Sequence, residues 1–180
     1  DKKWLSKLCD ALEPLNIKWR GTARTNAMTY ELLNKMKKSG CIGLAYGIES
    51  GSQRILDDVI RKGTHVEMNF KAVQRAKEAG IEEVRLYIMV GLPGETEEDV
   101  RKTIEFVKRA DPTNIGLSIA VPMPGSKWGD NAASFETSIL GKPENFYPYI
   151  KEGSTGKYKD VIPPILHETK DLSRERIAYL

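Results

Sequence analysis

"CIGLAYGIE", residues 41–49, decides how the rest of the chain is read. Eight small and apolar residues in a row describe a buried strand, yet the run closes on a carboxylate, Glu49, directly before Ser-Gly-Ser. With the two-residue period of a strand, one face carries Ile42, Leu44, Tyr46 and Ile48. The other carries Gly43, Ala45, Gly47 and Glu49. One face is bulky and apolar, and the other is small and ends in charge.

The neighbouring segments alternate in period. Residues 3–13 place Trp4, Leu5, Leu8, Cys9 and Leu12 on one helical face, and Pro14 is expected to end that helix. "IKWRGTAR" (17–24) reads as a strand, and 28–40 as a helix closed by Gly40. Residues 52–60 read as a short helix. Residues 64–80 read as a longer one, with a capping box of Thr64 and Glu67. A third strand is expected over 82–91, a helix capped by Thr96 over 96–110, and a fourth strand over 114–122. Strands alternating with helices predict parallel strands joined by right-handed helical crossovers. Beyond Pro124 the periodicity weakens. "ENFYPYIKEGSTGKYKD" (144–160) reads as loop around a short strand, and 170–180 as the start of a helix. The expected division is a barrel portion, 1–125, and a C-terminal extension, 126–180.

The other strands repeat the asymmetry. The third splits into Val84, Leu86, Ile88 and Val90 against Arg85, Tyr87, Met89 and Gly91. The fourth splits into Ile115, Leu117, Ile119 and Val121 against Gly116, Ser118 and Ala120. The first sets Ile17, Trp19 and Ala23 against Lys18, Arg20, Thr22 and Arg24. A sheet covered by helices on both sides would be apolar on both faces. This pattern instead predicts an α/β fold of the incomplete (β/α) barrel kind. Four parallel strands carry helices on the bulky side, and small residues leave the concave side open. That hollow would hold Glu49, Arg24, Arg85, Tyr87 and Ser118. Both charge signs there suit a ligand with both signs and hydroxyls; an internal Glu–Arg ion pair is the plainer alternative. Glu49 ends a strand, where parallel α/β sheets bind ligands.

Composition limits the function classes. The chain has 180 residues, 40% hydrophobic and 29% charged, with a net charge of +3 and no basic block, so no nucleic-acid surface is expected. No apolar run is long enough to span a membrane. The two cysteines, Cys9 and Cys41, form no metal-ligand cluster and read as buried thiols of a reducing, cytoplasmic compartment. His65 and His167 have no partner at metal-ligand spacing and read as structural or exposed. "GSTGKY" (153–158) lacks the strand a phosphate loop needs, and "VGLPGETEED" (90–99) lacks the Lys of a nucleotide-binding P-loop.

"ARTN" (23–26), "GIESGSQ" (47–53), "KGT" (62–64), "GLPGETEED" (91–99) and "VPMPGS" (121–126), in this order, resemble the radical SAM superfamily. The likeness runs over about residues 1–126 and is strongest to the group whose members often carry an N-terminal cobalamin-binding domain. It implies a partial six-strand barrel. It also implies S-adenosylmethionine, a four-iron four-sulfur cluster that cleaves it reductively to a 5′-deoxyadenosyl radical, and cobalamin from an upstream domain. By this resemblance Glu49, with Ser50 beside it, faces the ribose or methionine part of the ligand. Arg24, Lys62 or Arg85 holds the methionine carboxylate. Gly91, Leu92 and Pro93, with Ala120 to Pro122, lie near the adenine. No catalytic residue is assigned. The family's CxxxCxxC loop and its Gly-Gly-Glu stretch are absent, so the cluster ligands are expected outside this chain, in a longer parent.

The parent is then expected to be a radical SAM enzyme acting on a small molecule, with radical chemistry or cobalamin-dependent methyl transfer. This stretch alone is expected to be inactive. Two other readings stay open: a non-catalytic α/β binding or scaffold module, and part of an ordinary (β/α) barrel enzyme with Glu49 as general base. Strands 17–24 and 114–122 would form open edges, which predicts self-association of the chain, most simply as a two-fold dimer.

Overall fold

The computed structural model describes residues 1–140 and 167–179. Helix α1 (Lys2–Leu12) begins on Asp1, whose carboxylate accepts from the Lys3 and Trp4 amides. It closes at Leu12, ahead of Pro14, which sits inside a short 3-10 turn, Glu13–Leu15. Strand β1 (Trp19–Ala23) is followed by α2 (Tyr30–Lys38), capped by the Thr29 hydroxyl. Strand β2 covers Cys41–Glu49. A single helical turn, α3 (Gln53–Ile55), continues as a π turn over Leu56–Ile60. Helix α4 (Val66–Glu78), strand β3 (Glu83–Val90), helix α5 (Glu97–Ala110) and strand β4 (Asn114–Ile119) complete the repeat. The strands lie in one sheet in the order β1-β2-β3-β4, with β1–β2 and β2–β3 pairing in parallel. This is the expected α/β arrangement.

The chain divides into two compact units, residues 1–88 with 98–118, and residues 89–97 with 119 onward. In the first, Leu44, Tyr46 and Ile48 of β2 and Val84, Leu86 and Ile88 of β3 are buried against α2 (Leu32, Leu33, Met36) and α4 (Ala72, Val73, Ala76). Cys9 and Cys41 belong to the same core, and both thiols are free. Burial raises the Cys41 thiol to about 11, so it stays protonated. The bulky face is not covered everywhere: Ile115 and Leu117 of β4 are 50% and 54% exposed.

The expected capping box of α4 does not form. His65, in extended conformation, occupies the N-cap, so Glu67 falls one position short of where a box requires it. The Gln53 side-chain oxygen accepts from the Val66 amide instead, at 3.0 Å. Glu67 pairs with Arg109 of α5 at 3.1 Å, and the Arg109 guanidinium lies over the Phe70 ring.

The second unit contains α6 (Lys127–Asp130), a 3-10 turn (Ala132–Phe135), and the antiparallel pair β5 (Thr137–Ile139) and β6 (His167–Thr169). Helix α7 (Arg174–Tyr179) forms within the stretch where a helix was expected. Leu172 and Ile177 are buried with Ile119 against them. The strand expected within 144–160 lies outside the described residues. No described helix is long and apolar enough to cross a membrane.

Candidate ligand site on the concave face

Glu49 reaches the concave face through a break in the β ladder. Gly47 pairs with Tyr87 and Glu49 with Ile88, so Ile48 is the extra residue of a bulge. Glu49 itself has φ 67, a left-handed conformation that costs energy outside glycine. The next three residues hold it there. The Gly51 amide donates to Thr103 Oγ1 of α5 at 2.9 Å, and the Ser50 hydroxyl bonds the same oxygen at 3.2 Å. The Thr103 hydroxyl in turn donates to the Asp99 carbonyl. The Ser52 hydroxyl donates to the Asp99 carboxylate at 2.6 Å, and Arg54 completes that pair. Ser-Gly-Ser thus fastens the end of β2 to α5.

The Glu49 carboxylate lies over Gly47, where a Cβ would come within 2.7 Å of Oε1. Lys62 forms an ion pair with it. The Arg24 guanidinium donates to the Lys62 carbonyl at 2.9 Å and so holds the loop that carries the lysine. These residues line an open pocket of about 460 Å³, together with Thr25 and Tyr87. The volume is within the usual range for small-molecule sites. Of the predicted residues, Arg24, Glu49 and Lys62 are brought together here.

Arg85 is not among them. It pairs across from Ala45, nearer the start of the strands, and lines a separate hollow of about 260 Å³. There Arg20 grips Glu83 with two hydrogen bonds of 2.8 and 2.6 Å, which hold the Glu83 carboxyl below its usual value. Ser50 is fully buried against α5 and does not line the pocket. The glycines expected to leave room also seat their neighbours: the Arg20 stem crosses Gly43, and the Tyr87 ring covers Gly116.

Gly91, Leu92 and Pro93 form a buried turn in the second unit. The Glu95 carboxylate accepts from the Gly91 and Leu92 amides at 2.7 and 3.2 Å. The Ala120 amide donates to the Val90 carbonyl at 2.8 Å, which sets Ala120 beside that turn; Pro122 is buried. His167, read from sequence as structural or exposed, is fully buried; its Nε2–H donates to the Gly91 carbonyl at 2.9 Å. Trp128 meets the imidazole edge-on. No signal along the chain could have joined residues so far apart.

Burial depresses the pKa of His167 below its usual 6.5, and its Nδ1 has no partner among the described residues. A histidine depressed in the fold binds its proton more readily in the unfolded chain. Its stabilising contribution is therefore complete above about pH 6.5 and lost as the pH falls below that toward the folded value. Thermal melts between pH 7.5 and 5.5 should show a declining midpoint, and His167→Gln should flatten that decline. An equal slope in both proteins would exclude His167 as the cause.

Among the described residues no three metal-ligating side chains converge. The two thiols are buried in the core and do not fit an iron–sulfur cluster, so no step is assigned to one on these residues.

Comparison with known proteins agrees with the strand–helix order. The Radical SAM superfamily profile matches residues 4–107. An uncharacterized methyltransferase of Pyrococcus horikoshii is 37% identical over 115 residues, 64% of this chain and 25% of that protein. A putative methylthiotransferase of Methanocaldococcus jannaschii is 34% identical over 134 residues, 74% of this chain and 28% of that protein. The chain thus spans about a quarter of the length of these relatives. Among solved structures, the cobalamin- and [4Fe-4S]-bound radical S-adenosylmethionine methyltransferase TsrM of Kitasatospora setae has a TM-score of 0.59 at 22% identity, over 68% of this chain and 25% of that one. Coproporphyrinogen III oxidase of Escherichia coli has a TM-score of 0.63 at 17% identity, over 93% and 39%. At these identities the likeness speaks for the fold.

Proposed function

The chain belongs to the radical SAM superfamily, and from that premise we propose that its concave pocket takes part in binding S-adenosylmethionine in a protein that performs methyl-transferring radical chemistry. The observation that carries this reading is Glu49, turned by the bulge into a pocket it shares with two cations. The ligand carries an ammonium, a carboxylate and ribose hydroxyls. Glu49 accepts from the donors among these. The Lys62 ammonium has three N–H groups, so it can keep Glu49 and still reach a carboxylate. Arg24 uses one N–H on the Lys62 carbonyl and has others left for a carboxylate. When bound with its cluster, S-adenosylmethionine supplies the radical or methyl group; these residues bind and orient it. The transfer chemistry is proposed from the names of the relatives, and cobalamin dependence from the structural neighbour.

Glu49→Gln keeps the shape and removes the charge. In the full-length protein it should weaken S-adenosylmethionine binding by about 10- to 100-fold, the worth of a hydrogen bond to a charged group. Calorimetric titration measures this, with a melt to show the variant folds. Unchanged affinity would take Glu49 out of the ligand site and leave its pair with Lys62 as a structural contact.

A further inference from the structure

Thr25 lines the same pocket as Glu49, yet only 4% of it is exposed. Its hydroxyl donates to Asn69 Oδ1 at 2.6 Å. Asn69, on α4, is wholly buried, and its Nδ2 has no partner among the described residues. For stability alone this is a poor arrangement. An apolar pair of the same shape would bury as well and leave no amide unsatisfied. What the amide does achieve is to fix one proton. An amide oxygen can only accept, so the Thr25 O–H must point at Asn69, and the Thr25 oxygen keeps only lone pairs for anything else.

We propose that Thr25 is a specificity-determining residue of this pocket, an acceptor-only contact that receives a hydrogen bond from a donor group of the bound ligand, with Asn69 as the residue that positions it. The proposal rests on the reading of this pocket as the S-adenosylmethionine site and adds the polarity of one more contact. Arg24 and Lys62 supply donors, and Glu49 supplies a charged acceptor already shared with Lys62. Thr25 adds a neutral acceptor not shared with either cation in any hydrogen bond seen here. Such a contact favours a ligand hydroxyl or ammonium and disfavours a carbonyl or carboxylate oxygen, which would face another lone pair. On S-adenosylmethionine the donors are the ribose hydroxyls and the amino group.

The test uses the full-length protein with Thr25→Val, which keeps the shape and loses the oxygen, and Thr25→Ser, which keeps it. Each is titrated with S-adenosylmethionine, its deoxyribose analogues and its deamino analogue. Thr25→Val should lose about tenfold in affinity for S-adenosylmethionine, and Thr25→Ser should stay within about threefold. One analogue should bind wild type and Thr25→Val equally, and which one does so tells a ribose hydroxyl from the ammonium. If Thr25→Val does not fold, Thr25→Cys, whose thiol is a weak acceptor, takes its place in the same cycle. A Thr25→Val protein that binds like wild type, or that loses equally against every analogue, overturns the proposal. If Glu49→Gln weakens binding while Thr25→Val does not, this inference alone has failed. If wild type does not bind S-adenosylmethionine, or neither variant changes the affinity, the reading of the pocket has failed with it.

Discussion

Gly51→Ala should destabilise the protein by about 3 kcal/mol, the upper end of what overpacking a tight contact costs. A Cβ at this position would stand 2.6 Å from Thr103 Cα, 2.7 Å from the Lys102 carbonyl oxygen and 2.8 Å from Phe106 Cβ. Two of these three atoms are backbone of α5, so no rotamer change relieves the clash. The loop or the helix has to move, and with either movement the bonds from Gly51 and Ser50 to Thr103 lengthen. Thermal unfolding should register a fall on the order of 10 °C. A midpoint within a degree or two of wild type would mean that Ser-Gly-Ser does not lie against α5 as closely as described.

Gly47→Ala is expected to act oppositely, with little loss of stability and a large loss of binding. Its Cβ would meet Glu49 Oε1 at 2.7 Å, and that atom is the end of a flexible side chain. The carboxylate can swing away at small cost to the fold, but it then leaves Lys62 and the pocket. Affinity for S-adenosylmethionine should fall by about tenfold or more, approaching the effect of removing the charge. Because both changes remove one contact, Gly47→Ala combined with Glu49→Gln should be little worse than Glu49→Gln alone. Titration of the single and double variants decides. Additive losses would show that Gly47 and Glu49 contribute independently.

Element order and the two-faced strands could be read from the sequence because both are local: a period of two or of 3.6 is visible within ten residues. Glu49 stood out for the same reason, as a charge ending an apolar strand. What escaped reading depends on partners distant along the chain. Asp99 and Thr103 look like polar positions of an amphipathic helix, yet both are buried, because Ser50 and Ser52 supply their hydrogen bonds. Arg85 shares a face with Glu49 by alternation, but position along the strand, set by the pairing register, sends it to another hollow. The α4 cap fell to Gln53, thirteen residues from Val66, and no short motif describes that pairing. His167 reads as solitary until the chain returns it to Gly91.

The glycines of the concave face and the side chains above them form couples: Gly43 with Arg20, Gly47 with Glu49, Gly116 with Tyr87. The size of each long residue is thus written twice in the chain, once where it stands and once as the vacancy that admits it. Substitution at either member is then not a question about one position. A methyl group that clashes beneath Tyr87 is tolerable beneath a shorter residue, and a glycine left beneath a shortened partner widens the open hollow. For anyone redesigning the pocket, the alphabet available at these six positions is one of pairs, and a search that changes one letter at a time will reject most of the workable ones.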